Sequence, residues 1–351
     1  MGRTRVTLAD VAAASGVSIT TASLVLTGRA RELRISEAAE RRVRSTAQEL
    51  GYRRNTLATG PRPARAQTIG LVSDTIASSG LAGDMVKGAV EAAYRRGYML
   101  FVGESGGDPL VERALIDAMH DRHADGVVFA AMYTRVVALP EGLYDGPAVL
   151  LNATSATRTT IPSVVPDEVE AGRSAAGVLV EAGHDRGIHL IGAGPGVHDV
   201  PPNSIAAAQR LLGLREVFGA AGIEVVSAHR CPKWTPEHGY EATAQLLRTQ
   251  RPKALVCFND RLAFGAYQAL GEAGLAVPGD VSVVGFDDHP VASWMRPRLT
   301  TIALPHHELG ARAVAVLVDM LERRGRDVRP PMTYRVPMPV REGGSVARPR
   351  R

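Results

Sequence analysis

The stretch LADVAAASGVSITTASLVLTG, Leu8 to Gly28, decides how this chain must be read. It is rich in alanine and small hydroxyl residues, holds one acid and no base, and breaks once, at Gly16. Thr7, with Asp10 three residues on, makes a capping-box pair. Leu8, Val11 and Ala12 then form an apolar face at helical spacing. Gly16 permits a tight turn, Ser18 caps a second helical piece with apolar Ala22, Val25 and Leu26, and Gly28 ends it. After the loop RARELR, Ser36 caps a third helix with Glu37 and Glu40 near its positive end. Ala39, Val43, Ala47 and Leu50 line its buried face, and Gly51 stops it. Two short helices joined by a glycine turn, with a third in support, predict a helix-turn-helix unit whose second helix enters a major groove. Small hydroxyl residues at its exposed positions (Ser18, Thr20, Thr21, Ser23) suit close approach to bases and phosphates. The alternative is a three-helix bundle with no nucleic-acid role.

Charge placement favours the first reading. Residues 1–67 hold 12 Arg and no Lys against 5 Asp plus Glu, a net of +7, whereas the whole chain carries +5. The rest therefore sums to −2, and a basic head on a slightly acidic body points to a polyanion partner for the head. A solubilising charged end is the plainer account of the same charges. At 351 residues, 45% hydrophobic and 22% charged, the chain suits two or three soluble domains. No apolar run reaches membrane-spanning length, and Asp10 interrupts any signal-peptide order, so a cytoplasmic protein with no membrane partner is expected. Cys231 and Cys257 read as reduced thiols without metal spacing or a disulfide framework.

Outward from the head (residues 1–60), GPRPARAQ (Gly60 to Gln67) is a linker, because proline blocks helix and no apolar period is present. From Thr68 short apolar runs (TIGLV, YMLFVG, DGVVFA, PAVLL) alternate with amphipathic stretches such as MVKGAVEAAYRRG. A second series (IHLIG, IEVVSAHR, KALVCF, VSVVGFDD) begins after residue 165. The alternation predicts an α/β body of two doubly wound parallel lobes, with ligands bound in the cleft at the strand carboxyl ends. Asn259 and Asp260 after KALVCF, Asp287 after VSVVG, and Asp74 after TIGLVS are candidates by that geometry. Asp260 is alternatively the cap of the following helix.

The segment VTLADVAAASGVSITTASLVLTG resembles the N-terminal signature of the LacI/GalR family of bacterial transcriptional regulators. ISEAAERRVRSTAQELGYRRN is similar to the family's third helix and its approach to the hinge. TIGLVS, ADGVVFA, EAGHDRGIHLIG, FNDRLAFGAYQAL, VPGDVSVVGFDD and RLTTIALPHHELGARAV extend the likeness, in order, from Val6 to about Arg341. The resemblance implies a homodimer that reads a pseudo-palindromic double-stranded operator and acts as a repressor. It also implies a type I periplasmic-binding-protein-like effector domain over 68–341, with a small effector, a sugar or related metabolite, between its lobes. On it the N-lobe takes 68–165 and 292–328, the C-lobe 166–291 and 329–341, and 342–351 is a basic tail. Base-reading positions fall on Ile19, Thr20 and Leu24, with Thr7, Ser18 and Ser23 as backbone-positioning residues. Leu24 stands where most members have arginine, so a bidentate contact to guanine gives way to apolar contact, for example with a thymine methyl.

The hinge departs as well. Asn55 and Ala58 match the family's Asn-x-x-Ala segment, but Pro61, preceded by Gly60, occupies the place of its minor-groove leucine. Leu57 is the candidate substitute wedge, and Arg29, Arg31 and Arg34 are expected phosphate contacts. In the body, Arg210 matches an effector-hydroxyl position, with a surface ion pair as its alternative. Trp234 matches a sugar-stacking position, with apolar packing as its alternative. Enzymatic readings lack support: no phosphate-binding loop is present, GAGPG (Gly192 to Gly196) lacks dinucleotide spacing, and His306–His307 offers no third metal ligand and starts a helix. No enzyme activity, cofactor or metal is expected, and the short basic tail favours a dimer over a tetramer. A transport sugar-binding protein and a sugar or nucleoside enzyme with an accessory helical domain are the rival readings.

Overall fold

The head forms where its capping residues place it. The computed structural model describes residues 6–26, 28, 30, 35–50, 52, 67–80, 82–157, 159–194, 196, 199–201, 204–323 and 332–349. Three helices fill the described part of the head: α1 (Leu8–Ser15), α2 (Ile19–Leu26) and α3 (Glu37–Glu49). The capping box is complete, since the Thr7 N–H donates to the Asp10 carboxylate at 2.7 Å and the Asp10 N–H donates to Thr7 Oγ1 at 3.3 Å. Gly16 takes φ 66°, the left-handed conformation that ends α1. Ser18 Oγ then accepts the Thr21 N–H at 3.0 Å, and α2 leaves α1 at 104°. That angle is the helix-turn-helix arrangement.

Val11, Ala12, Ala22, Val25, Val43 and Ala47 close a small core. Leu50, expected on the buried face, is instead the C-cap of α3 and 39% exposed. The chain turns away there, and Tyr52 packs against the core instead. Two α3 arginines fasten the bundle. Arg42 Nε donates to the Ser15 carbonyl at 2.9 Å and Arg44 Nη2 to the Val25 carbonyl at 3.4 Å. These are carbonyls at the negative ends of α1 and α2, where cations are favoured.

The chain divides into two units, Met1–Ala66 and Gln67–Arg351. The second unit begins with β1 (Thr68–Ser73), α4 (Gly83–Arg95), β2 (Met99–Glu104), α5 (Pro109–Asp121), β3 (Gly126–Val137), β4 (Ala148–Ser155) and β5 (Ser163–Pro166). It continues with α6 (Glu168–Glu181), β6 (Ile188–Gly192), α7 (Ile205–Ala220), β7 (Val225–Arg230), α8 (Pro236–Leu247), β8 (Ala254–Cys257) and α9 (Asp260–Glu272). Then follow β9 (Ser282–Asp287), α10 (Pro290–Trp294), β10 (Thr300–Ala303), α11 (His306–Arg323), β11 (Thr333–Val336) and β12 (Val340–Arg341). The strands form two six-stranded sheets, ordered β11-β5-β4-β3-β1-β2 and β12-β10-β9-β8-β6-β7. The paired strands run parallel except β12, which is antiparallel to β10. Strands such as β1, β6 and β8 are buried on both faces, as parallel sheets beneath helices require. Strand order reverses between β1 and β3 in one sheet and between β6 and β8 in the other, so each lobe has a ligand-binding switch point.

The lobes exchange more chain than expected. β10, placed by the sequence reading with the N-lobe, pairs with β9 in the second sheet, Thr300 opposite Val284. β11, placed with the C-lobe, pairs with β5 in the first, Thr333 opposite Ser163. α11 between them packs on α4 and the first sheet. The chain therefore crosses between lobes after β5, after β10 and after β11. An apolar run reveals a strand but not which sheet edge it joins, which is why the boundaries shift.

Candidate functional site

On α2, Ile19, Thr20, Ser23 and Leu24 share the face opposite buried Ala22 and Val25, as positions i, i+1, i+4 and i+5 must. Ile19 is 55% exposed, Thr20 is exposed, and Ser23 and Leu24 are half-buried. Thr7 and Ser18 are exposed at the start of α1 and α2, each with its hydroxyl accepting a first-turn N–H. Arg29, Arg31, Arg34, Asn55, Leu57, Ala58, Gly60 and Pro61 lie outside the described residues.

The body holds a cleft of about 1000 Å³ lined from both lobes. Arg210, Trp234, Asn259 and Asp287 all line it. Arg210, on α7, is buried; Nε and Nη2 donate to the two Glu168 carboxylate oxygens at 2.7 and 3.3 Å. Nη2 also donates to Asp287 Oδ1 at 3.1 Å, and Nη1 to the Phe258 carbonyl at 2.6 Å. Its guanidinium lies over the Phe286 ring at 4.6 Å and near the Trp234 ring at 5.9 Å. Arg210 is thus ion-paired, as its plainer reading had it, but inside the cleft wall and not at the surface. Burial alone would lower its pKa, yet the Glu168 and Asp287 carboxylates hold it above the ordinary value. Burial pushes the Glu168 carboxyl up, against the pull of Arg210.

Helix packing sets this geometry. Gly172 on α6 faces the Arg210 backbone so closely that a methyl there would overlap the Arg210 carbonyl, and Gly213 meets Val169 in the same way. α6 and α7 thereby bring Glu168 and Arg210 together. Asp287 ends β9 at φ 102° and Asp288 follows at φ 55°, left-handed conformations that favour glycine. Non-glycine residues there store strain, a feature of binding sites. Trp234 Nε1 donates to the Gly192 carbonyl at 3.0 Å, which sets its ring at the β6/β8 switch point, edge-on to Phe258.

Two expectations need correction. Asn259, and not Asp260, caps α9: its Oδ1 accepts the Leu262 N–H at 2.8 Å and its Nδ2 donates to the Trp234 carbonyl at 3.2 Å. Asp260 is buried, accepting from Thr301 Oγ1 at 2.7 Å and the His289 N–H at 2.8 Å. Asp74 is buried and does not line the cleft. Its carboxylate accepts the Met132 N–H at 3.0 Å and Arg135 Nη1 at 2.7 Å, so it fixes the first-lobe wall from behind. Residues that sequence reasoning missed include Glu168, Thr134, Asn152 and His306. Glu168 was findable, because it follows β5 by two residues and so sits at a strand carboxyl end.

Residues 7–55 match the model for bacterial regulatory proteins of the lacI family, and residues 176–346 match a periplasmic binding protein-like domain. The HTH-type transcriptional regulator AscG of Escherichia coli (strain K12) is 31% identical over 338 residues, covering 93% of this chain and 95% of the relative. The chain belongs to the lacI family. It is a DNA-binding transcriptional regulator with a helix-turn-helix head and a two-lobed α/β body. Among solved lacI-family structures, the lac repressor dimer bound to operator and the anti-inducer ONPF shares 25% identity at a TM-score of 0.77, with 98% of this chain and 99% of that chain covered. The CelR–cellobiose complex shares 26% identity at a TM-score of 0.63, covering 97% of this chain and 100% of that one.

Proposed function

We propose that this lacI-family regulator represses transcription as a homodimer on a pseudo-palindromic operator, under control of a sugar or related metabolite held between its lobes. The observation that carries the reading is the cleft itself, a cavity of about 1000 Å³ in which buried Arg210 and Glu168 meet half-buried Asp287, in one chain with a helix-turn-helix head. The lac repressor neighbour is a dimer on operator and CelR holds cellobiose, which supports both halves. Effector binding changes operator affinity through a coupling free energy between cleft and head. Ile19, Thr20 and Leu24 read bases, with Leu24 supplying apolar contact where a guanine-reading arginine would sit.

The homodimer is assigned to the N-lobe face. There Val90 and Tyr94 of α4 are exposed beside Met99 and Phe101 of the edge strand β2. No single helix among the described residues is long and apolar enough to cross a membrane. A cytoplasmic site of action follows from the proposed operator partner. The cleft binds its ligand without turning it over. Selection of bound duplexes from a random library, followed by anisotropy over a salt series, tests the reading. A pseudo-palindromic consensus whose binding weakens steeply with salt is expected. Failure to enrich any sequence, with or without candidate sugars, overturns it.

A further inference from the structure

We propose that the cleft selects an uncharged polyhydroxy ligand over its phosphorylated or carboxylated counterpart, and that His306 is one of the residues that read it. This rests on the effector-binding reading of the cleft and adds the ligand's charge class and a contact residue. An anion entering a buried site needs an unspent cation or an open helix N-terminus. The deep wall offers neither in full. Arg210 is shared between Glu168 and Asp287, two carboxylates against one guanidinium. Of its five N–H groups, four are engaged, leaving one on Nη1. The first turns of α6, α9 and α11 already hold in-chain carboxyl groups, Glu168 and Asp260 buried and Glu308 exposed. An incoming anion would therefore meet acidic side chains at the helix starts and a guanidinium already shared between Glu168 and Asp287.

The remaining cations do not reverse this. Lys233 and Arg261 are exposed at the cleft rim, where water screens them, and Asp84 and Glu308 are exposed along the same rim. Arg341 is paired with Asp288 at 3.5 Å. What the wall does offer is hydrogen bonding. Asp287 has only its Oδ1 committed to Arg210, so Oδ2 is open to accept from a hydroxyl. His306, at the start of α11, lines the same cleft, and its Nδ1 is buried without a hydrogen-bond partner among the described residues. Asp287 and Asp84 both act on it electrostatically, one from each lobe, yet burial outweighs them and keeps the imidazole below its ordinary pKa. A neutral imidazole presents one donor and one acceptor, the complement of a hydroxyl group. An orphaned polar atom of this kind is satisfied when a ligand hydroxyl arrives.

The test uses the full chain and paired probes: ribose with ribose 5-phosphate, glucose with glucose 6-phosphate and glucuronate, and cellobiose. Thermal shift and calorimetry are run on the wild type and on His306→Phe. At least one uncharged sugar should bind, its anionic counterpart at least tenfold more weakly. His306→Phe should weaken that sugar about tenfold while leaving the free protein's Tm equal or higher, because the substitution removes an unsatisfied buried nitrogen. A merely structural histidine would lower Tm and spare affinity. Tighter binding of an anionic probe, no binding by any uncharged probe, or unchanged affinity in His306→Phe each overturns the inference. Operator selection on the same preparation reports separately on the regulator reading, so the two can fail independently.

Discussion

In the head, Arg42 and Arg44 give guanidinium N–H groups to carbonyls at helix ends, with their side chains open to water. In the cleft, Arg210 gives one N–H to the Phe258 carbonyl and three to two carboxylates, and water does not reach it. The bonds are similar in length, but the consequences of losing a partner are not. An exposed arginine released from its carbonyl is solvated again, so the net contribution of its bond is small. A buried one left without its carboxylate keeps an uncompensated charge in a poor solvent. The head can therefore devote its surface to a partner, whereas the cleft must first satisfy itself and binds with what remains.

The strongest attempt to break this contrast is Glu168→Ala. Loss of the Arg210 partner should cost the body about 3–5 kcal/mol in denaturant unfolding and leave the head's transition unmoved. A loss below about 1 kcal/mol would mean that Arg210 is less isolated from water than its burial indicates.

Acid should separate the two units next. His189 in β6 is buried against Ser227, and burial, helped by nearby His229, lowers its pKa to about 4. The folded body then resists a proton that the unfolded chain accepts near pH 6.5, so its stability falls as pH drops from about 6.5 towards 4, by roughly 2–3 kcal/mol at most. The head contains no histidine and should not follow between those pH values on this account. Urea titrations at pH 7 and pH 4.5 on wild type and His189→Gln would show the slope, and the variant should flatten it.

Recognition should behave in the opposite way to packing. Thr20→Ala is expected to cost about 1–3 kcal/mol of operator discrimination with no change in unfolding, since its side chain lies on the exposed face of α2. Anisotropy against the selected duplex and a single-base variant checks it; equal loss on both would make Thr20 a phosphate contact. The smallest effect is Thr7→Ala, about 1 kcal/mol from the head's stability through the lost capping box, read by thermal unfolding of the full chain.

Local rules were enough for the head. Thr7, Gly16, Ser18 and Ser36 act over three or four residues, so their roles are legible in a linear string, and the three helices of the head form where those residues put them. The alternating apolar runs of the body were legible for the same reason, since a strand buried on both faces shows in its own composition. The strand-end rule also brought Arg210's neighbour Asp287, with Asn259, to one cleft.

What tertiary structure alone decided was partnership. β11 joins the first sheet by pairing Thr333 with Ser163, far back in the chain, whereas β10 joins the second by pairing Thr300 with the nearer Val284, and no apolar run announces either choice. Nor does the string show Glu168 against Arg210, Asp74 behind the wall with Arg135, or His306 Nδ1 without a partner among the described residues. Capping and periodicity are short-range and are written along the chain. Desolvation and ion pairing depend on which surfaces are pressed together, and only the packed body determines those.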